Sequence, residues 1–107
     1  MKAIAFLKKR DDLSFDDFAH HLLNEHVQFM RALPGLVRWS VNLAVHGEER
    51  APYDAVTEFW FADAEAFQTA MASSEVAAAL EDGEAFVAPP GPVLMVAEEH
   101  VVIGGES

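Results

Sequence analysis

Apolar and polar residues alternate in short runs near both ends and in the middle of the chain, and recur at helical spacing between those runs. KAIAFLK (2–8) reads as a short strand that ends at the charged turn KRDD. Ser14-Phe15-Asp16-Asp17 then puts a hydroxyl at an N-cap and carboxylates in a first turn. This predicts a helix from Phe15 to about Leu33, stopped by Pro34-Gly35. LVRWSVNLAVH (36–46) is a long strand, GEERAPY a polar connection and DAVTEFWFA (54–62) a third strand. Asp63 is placed to cap a second helical segment, AEAFQTAMA, and Ser73 or Ser74 a third, EVAAALED. Residues 84–92, with Pro89-Pro90-Gly91-Pro92, form an irregular crossing, and VLMVAEEHVVI (93–103) is the last strand. The order β-α-β-β-α-β, with its second helix broken, is the α+β, ferredoxin-like plan with a four-stranded antiparallel sheet.

Two helical layers cover one face of such a sheet and leave the other bare. Yet Ala55, Phe59 and Phe61 alternate with Val56 and Trp60, and Val93, Met95 and Ala97 alternate with Leu94 and Val96. A sheet with one wet face alternates apolar with polar instead. The pattern therefore predicts that two sheets pack face to face in a symmetric homodimer, a dimeric α+β barrel.

HHLLNEH (20–26) holds three of the five histidines. At ~100° per residue with Phe18 at the origin, Phe29, Leu22, Phe15 and Leu33 fall at roughly 20–60° and form an apolar stripe. His26 falls at about 80°, within that stripe, whereas His20 and His21 fall at about 200° and 300°, outside it. The pattern lacks the two histidines on one face that a helical metal motif needs, so no metal site is expected. His21 and Glu25 read as a solvated i, i+4 pair. His26 points inward alone. Burial disfavours its imidazolium and favours a neutral base. Its two readings are a core histidine satisfied by a carbonyl, or a general base in a cavity between helix and sheet.

Length and composition narrow the picture without deciding it. The 107 residues suffice for one compact domain, 1–107. Acids outnumber bases 18 to 7, a formal charge of −11, which argues against nucleic acid and anionic membrane surfaces. With no cysteine, disulfides, Cys-ligated zinc and a thiolate nucleophile are excluded. The apolar run in MKAIAFLKKRDD is too short for a signal segment or a membrane span, so a cytoplasmic location is expected. No Gly-rich loop precedes a helix and no G-x-S-x-G occurs.

Other positions have paired readings. Arg38, Ser40, Asn42 and His46 share one face of the second strand, either lining a pocket or facing water, with Trp39 on the other. Tyr53 is a donor at a pocket mouth or a packing aromatic. Glu58 shares a face with Trp60 and is either paired or perturbed. His100 shares a face with Glu98 and could be held by it, or bridge to a second subunit.

KKRDDLSFDDFAHHLLNEHVQFMRALPGL, then APYDAVTEFWF, then AEEHVVI together resemble the EthD family of the dimeric α+β barrel superfamily over nearly the whole chain. The resemblance implies a pocket between sheet and helices, no metal or organic cofactor, and histidine as acid or base. It sets His26 in the place of the family's helical histidine. Methylisomerase-like members carry a tyrosine where this chain has Trp39, whose indole donates a hydrogen bond but cannot exchange a proton near neutral pH. The implied function is proton-transfer chemistry on a hydrophobic oxygenated metabolite, such as a polyketide or ring-cleavage lactone, by isomerisation, dehydration or decarboxylation. His26 would be the base, with Tyr53 or a strand residue as its electrophilic partner. Leu22, Phe29, Trp39, His46, Glu58 and Trp60 would contact the substrate. The alternative is a non-catalytic ligand-binding accessory protein of an oxygenase or ether-degradation system.

Overall fold

The computed structural model describes residues 1–45 and 51–105. Four strands, β1 (Lys2–Leu7), β2 (Leu36–Leu43), β3 (Ala55–Phe61) and β4 (Val93–Ala97), form one antiparallel sheet in the order β2-β3-β1-β4. This is the ferredoxin-like order that the element succession predicts. Register sets the two faces. Ala3, Ala5 and Leu7 align with Phe59, Thr57 and Ala55 on the helix-covered side, and Trp39, Val41 and Leu43 continue that row on β2. Lys2, Ile4 and Phe6 align with Trp60, Glu58 and Val56 on the opposite side.

The helices are capped as the sequence predicts. Ser14 accepts from the Asp17 amide, Asp63 from the Ala66 amide and Ser73 from the Val76 amide. Asp63 opens α3 (Ala64–Met71) and Ser73 opens α4 (Ser74–Gly83). The first helix departs from expectation. It is not one α-helix from Phe15 to Leu33. Instead α1 (Phe15–His20) passes into a π-turn (His21–Glu25), and α2 (Val27–Arg31) follows. The His26 amide donates to the His21 carbonyl at 2.7 Å, five residues back, which inserts one extra residue into the turn.

β4 is also shorter than predicted. It pairs with β1 only as far as Lys2↔Ala97, so residues 98–103 have no ladder to join. β2 closes at Leu43, and the predicted strand end at His46 lies outside the described residues.

Two apolar clusters lie between sheet and helices. Phe18, Leu22 and Phe86 pack on Ala5, Leu7, Ala55 and Val87, while Met30, Leu33 and Ala79 pack beside Trp39 and Phe59. Phe18 has no exposed surface and packs its ring 5.8 Å from that of Phe86. Phe18→Ala should therefore cost about 3–5 kcal/mol of stability, measured by chemical denaturation. A loss below about 1 kcal/mol would mean that this cluster does not anchor the helix.

Candidate functional site

Small side chains open a space that larger ones would fill. Ala3 and Ala5 on β1, with Ala79 and Gly83 on α4, line a cavity of about 730 Å³ between sheet and helices. A Cβ on Gly83 would meet nothing within 4 Å. Leu22, Met30, Trp39, Thr57, Phe59 and Phe86 form much of the remaining wall, with the 89–92 crossing and Leu94 on another side. The lining is mostly apolar, and His26 is on it.

The π-turn determines which polar groups reach this wall. At ~100° per residue, His21 and His26 would lie roughly 140° apart on a regular helix. The i→i+5 register brings them to the same side, where both meet Asp82 near the end of α4. His26 Nδ1 is 2.7 Å from Asp82 Oδ2, and His21 Nε2 is 3.0 Å from the same oxygen. An ionised carboxylate only accepts, so each imidazole donates an N–H to it. That leaves the His26 lone pair on Nε2.

His21 is therefore not the solvated flank that the regular helix predicts. Its side chain is 20% exposed, close to the 12% of His26 and the 17% of Asp82. The ring of Phe86 packs against both imidazoles, at 4.6 Å from His21 and 5.0 Å from His26. His20 stays exposed beside Asn24 and Glu25.

Burial pushes the His26 imidazole below its ordinary value of 6.5, and the Asp82 carboxylate only partly offsets this. For Asp82, burial acts upward, but the hydrogen bonds from His26 and His21 together prevail and hold its carboxyl below 3.8. The site thus rests as a neutral base beside a carboxylate. The indole N–H of Trp39 is buried with no hydrogen-bond partner among the described residues. Its ring lies 6.3 Å from that of His26. The indole lines the cavity, but its nitrogen is enclosed by the surrounding packing.

The other positions singled out from the sequence do not all converge here. Leu22 and Trp39 line the cavity, and Phe29 lies behind it with its ring 6.0 Å from His26. Tyr53 is not on the cavity wall. It packs its ring 5.3 Å from Phe6, whose side chain points to the opposite sheet face, so it cannot serve as the partner of His26. Glu58 and Trp60 also lie on that opposite face, because β3 alternates and Thr57 and Phe59 take the inner positions.

There Glu58 bonds Lys2 at 2.6 Å and accepts from Asn42 and Ser40, so these two of the polar residues on β2 support a carboxylate. Trp60 lies under Lys2 and Arg38. His46 is outside the described residues. His100 meets Glu98 at 2.8 Å in solvent.

Asp82 is the functional residue that the sequence pattern does not single out. A carboxylate in the last turn of a helix opposes the helix dipole, and that mismatch is the signal that could have found it. Among the described residues, no group of three or more His, Cys, Asp and Glu side chains could hold a metal ion. The two imidazoles direct donors, not lone pairs, toward their common neighbour. No described helix is long and apolar enough to cross a membrane.

No curated protein matches the chain. Solved structures do. An ethyl tert-butyl ether D family protein from Bacillus halodurans superposes with a TM-score of 0.76 at 27% identity, over 92% of this chain and 97% of that one. A dimeric ferredoxin-like protein of unknown function from Thermobifida fusca gives 0.67 at 16% identity, over 88% and 85%. SnoaB, a cofactor-independent oxygenase from Streptomyces nogalater, gives 0.64 at 15% identity, over 94% and 95%. The EthD domain matches residues 10–90, the span from the β1–α1 turn to the crossing before β4, and the chain belongs to the EthD family.

Proposed function

We propose that this EthD protein is an enzyme that moves a proton next to a carbonyl on a neutral, hydrophobic, oxygenated small molecule. Isomerisation through an enol and dehydration of a β-hydroxy carbonyl compound both begin with that step. The observation that carries the reading is His26 on an apolar cavity wall with its Nδ1 held by Asp82. Fixing that nitrogen as the donor leaves Nε2 as the base, and the carboxylate stabilises the imidazolium formed when the proton arrives.

The substrate's neutrality follows from Arg10. Among the described residues it is the one lysine or arginine on the cavity wall. Its Nε and one terminal nitrogen bond both oxygens of Asp12, and its other terminal nitrogen bonds the Glu84 carbonyl. Three of its five N–H donors are thus held within the chain, and its charge is matched by Asp12. Ketones, lactones and polyketide or ring-cleavage intermediates fit this cavity better than their acids.

A homodimer belongs to the same proposal. The helix-free sheet face carries Ile4, Phe6, Val56, Val93 and Met95, and Val93 and Met95 are about half exposed. A second copy would cover that face, in line with the dimeric description of the Thermobifida fusca relative. Analytical ultracentrifugation should return twice the chain mass of 11.7 kDa. A sedimenting monomer at micromolar concentration removes this part of the proposal and leaves the site intact.

Solvent deuterium exchange into a panel of hydrophobic ketones and lactones, followed by proton NMR, tests the chemistry while the natural substrate is still unidentified. Wild-type protein should exchange protons beside the carbonyl, and His26→Ala should lose roughly 10²–10⁴-fold in rate. Equal exchange by both proteins ends the catalytic reading. Ligand binding with no exchange in either would favour the accessory ligand-binding role instead.

Acidity gives a second check. Neutral His26 is the active form and its pKa is depressed, so activity should persist as pH falls through 6.5 and disappear only below it. An acid limb of kcat/KM centred above 6.5 would contradict the assignment.

A further inference from the structure

His21 is the second imidazole on Asp82 and has no part in the proton transfer assigned to His26. A carboxylate between two imidazoles is neutralised by one added proton. A second would leave the half-buried unit with net positive charge. Such a unit titrates as a whole, and what matters for the base is which ring holds the first proton.

Three observations favour His21. Its side chain is the more exposed of the two rings, 20% against 12%. Its Nδ1 lies 3.7 Å from Glu25 Oε1, so an imidazolium there would face a carboxylate at each ring nitrogen. Phe86 also lies nearer to it, 4.6 Å against 5.0 Å for His26, so a cation there is closer to the aromatic ring. The ion-pair contact of His26 among the described residues is to Asp82 alone.

The charged surroundings are few. Asp82 comes from α4, Glu25 from the π-turn, and His20 lies beyond Glu25 at 3.7 Å. β2 and the segment after α4 contribute Trp39 and Phe86, which carry no charge. Arg10, elsewhere on the cavity wall, is neutralised by Asp12.

We propose that His21 is a positioning residue that takes the first proton entering the His21–Asp82–His26 unit, so that His26 stays neutral with its Nε2 free toward the cavity. The π-turn makes this division possible, since without the extra residue His21 would not reach Asp82. Burial is the main cause that disfavours the His26 imidazolium, and positive charge at His21 adds to it. The role of His26 as a catalytic base rests on the proposed function. The location of the proton does not, and it is read without any substrate.

Long-range proton–nitrogen NMR spectra of the histidine rings, recorded through a pH titration of the full chain, carry the test. In the wild type, His21 should protonate at higher pH than His26, and His26 should keep its proton on Nδ1. His21→Gln retains an N–H donor for Asp82 but cannot hold a charge. The first proton must then go to His26, whose midpoint should rise by about one unit, a tenfold gain in proton affinity.

Glu25→Gln alters an exposed side chain, and should lower the His21 midpoint and narrow the gap between the rings. His26 protonating first in the wild type, or a His26 midpoint unmoved in His21→Gln, overturns the proposal. Should His21→Gln not fold, Glu25→Gln decides it, and an unmoved His21 midpoint there is equally fatal. An inactive protein with the expected titration would refute the catalytic reading and leave this division of the proton standing.

Discussion

Two imidazole N–H groups on one carboxylate oxygen form the constraint around which the site is organised. Asp82 occupies the last turn of α4, where the exposed carbonyls of the helix repel negative charge, and its side chain is largely removed from water. Each condition alone would favour protonation or a turn outward. Hydrogen bonds from His26 and His21 reverse that balance and keep the carboxylate ionised. The carboxylate in return fixes the tautomer of both rings. Removing either imidazole would leave a half-buried charge with one donor fewer, which is why the unit acts as a whole.

The cavity depends on a second compromise. β1 contributes Ala3 and Ala5 where a closely packed sheet would present larger side chains, and α4 contributes Ala79 and Gly83 opposite them. Filling that volume with leucine or isoleucine would bury more apolar surface and add stability. The two clusters on either side, around Phe18 and around Met30, hold the layers apart in its place. A cavity sustained this way is a space bordered by two packed apolar clusters.

Much of this fold was legible in the chain because its signals are local. Alternation along KAIAFLK and DAVTEFWFA, the caps at Ser14, Asp63 and Ser73, and the stop at Pro34-Gly35 each act within a few residues. The candidate site was legible at His26, since an imidazole on an apolar stripe is conspicuous, and at Leu22 and Trp39 on the same wall. What failed was everything that depends on a helix departing from ~100° per residue. A π-turn has no strong signature in residue type, yet one extra residue turned His21 from a solvated flank into a partner of Asp82. Glu58 and Trp60 on the third strand failed for another reason. Alternation sorts Glu58 and Trp60 onto one face, but it cannot say which face the helices cover. The extension of β4 past Ala97 failed because pairing depends on a neighbouring strand, and β1 offers none beyond Lys2.

Two carboxylates of this chain show how the partner, more than the burial, decides what an acid can do. Glu58 is half-buried on the outer sheet face and bonded by Lys2, Asn42 and Ser40. The Lys2 ammonium is the main cause that holds Glu58 below its ordinary value, and it keeps its own charge throughout the neutral range. Nothing near neutrality changes that pair, so it can support a sheet but not a proton transfer. Asp82 is paired instead with two groups whose ordinary value lies at 6.5, within reach of neutral pH. Its partners can gain or lose a proton while the carboxylate stays ionised. The same functional group is thus tied to a fixed charge on one side of the sheet and to two imidazoles on the other, and the difference is an ammonium against an imidazole.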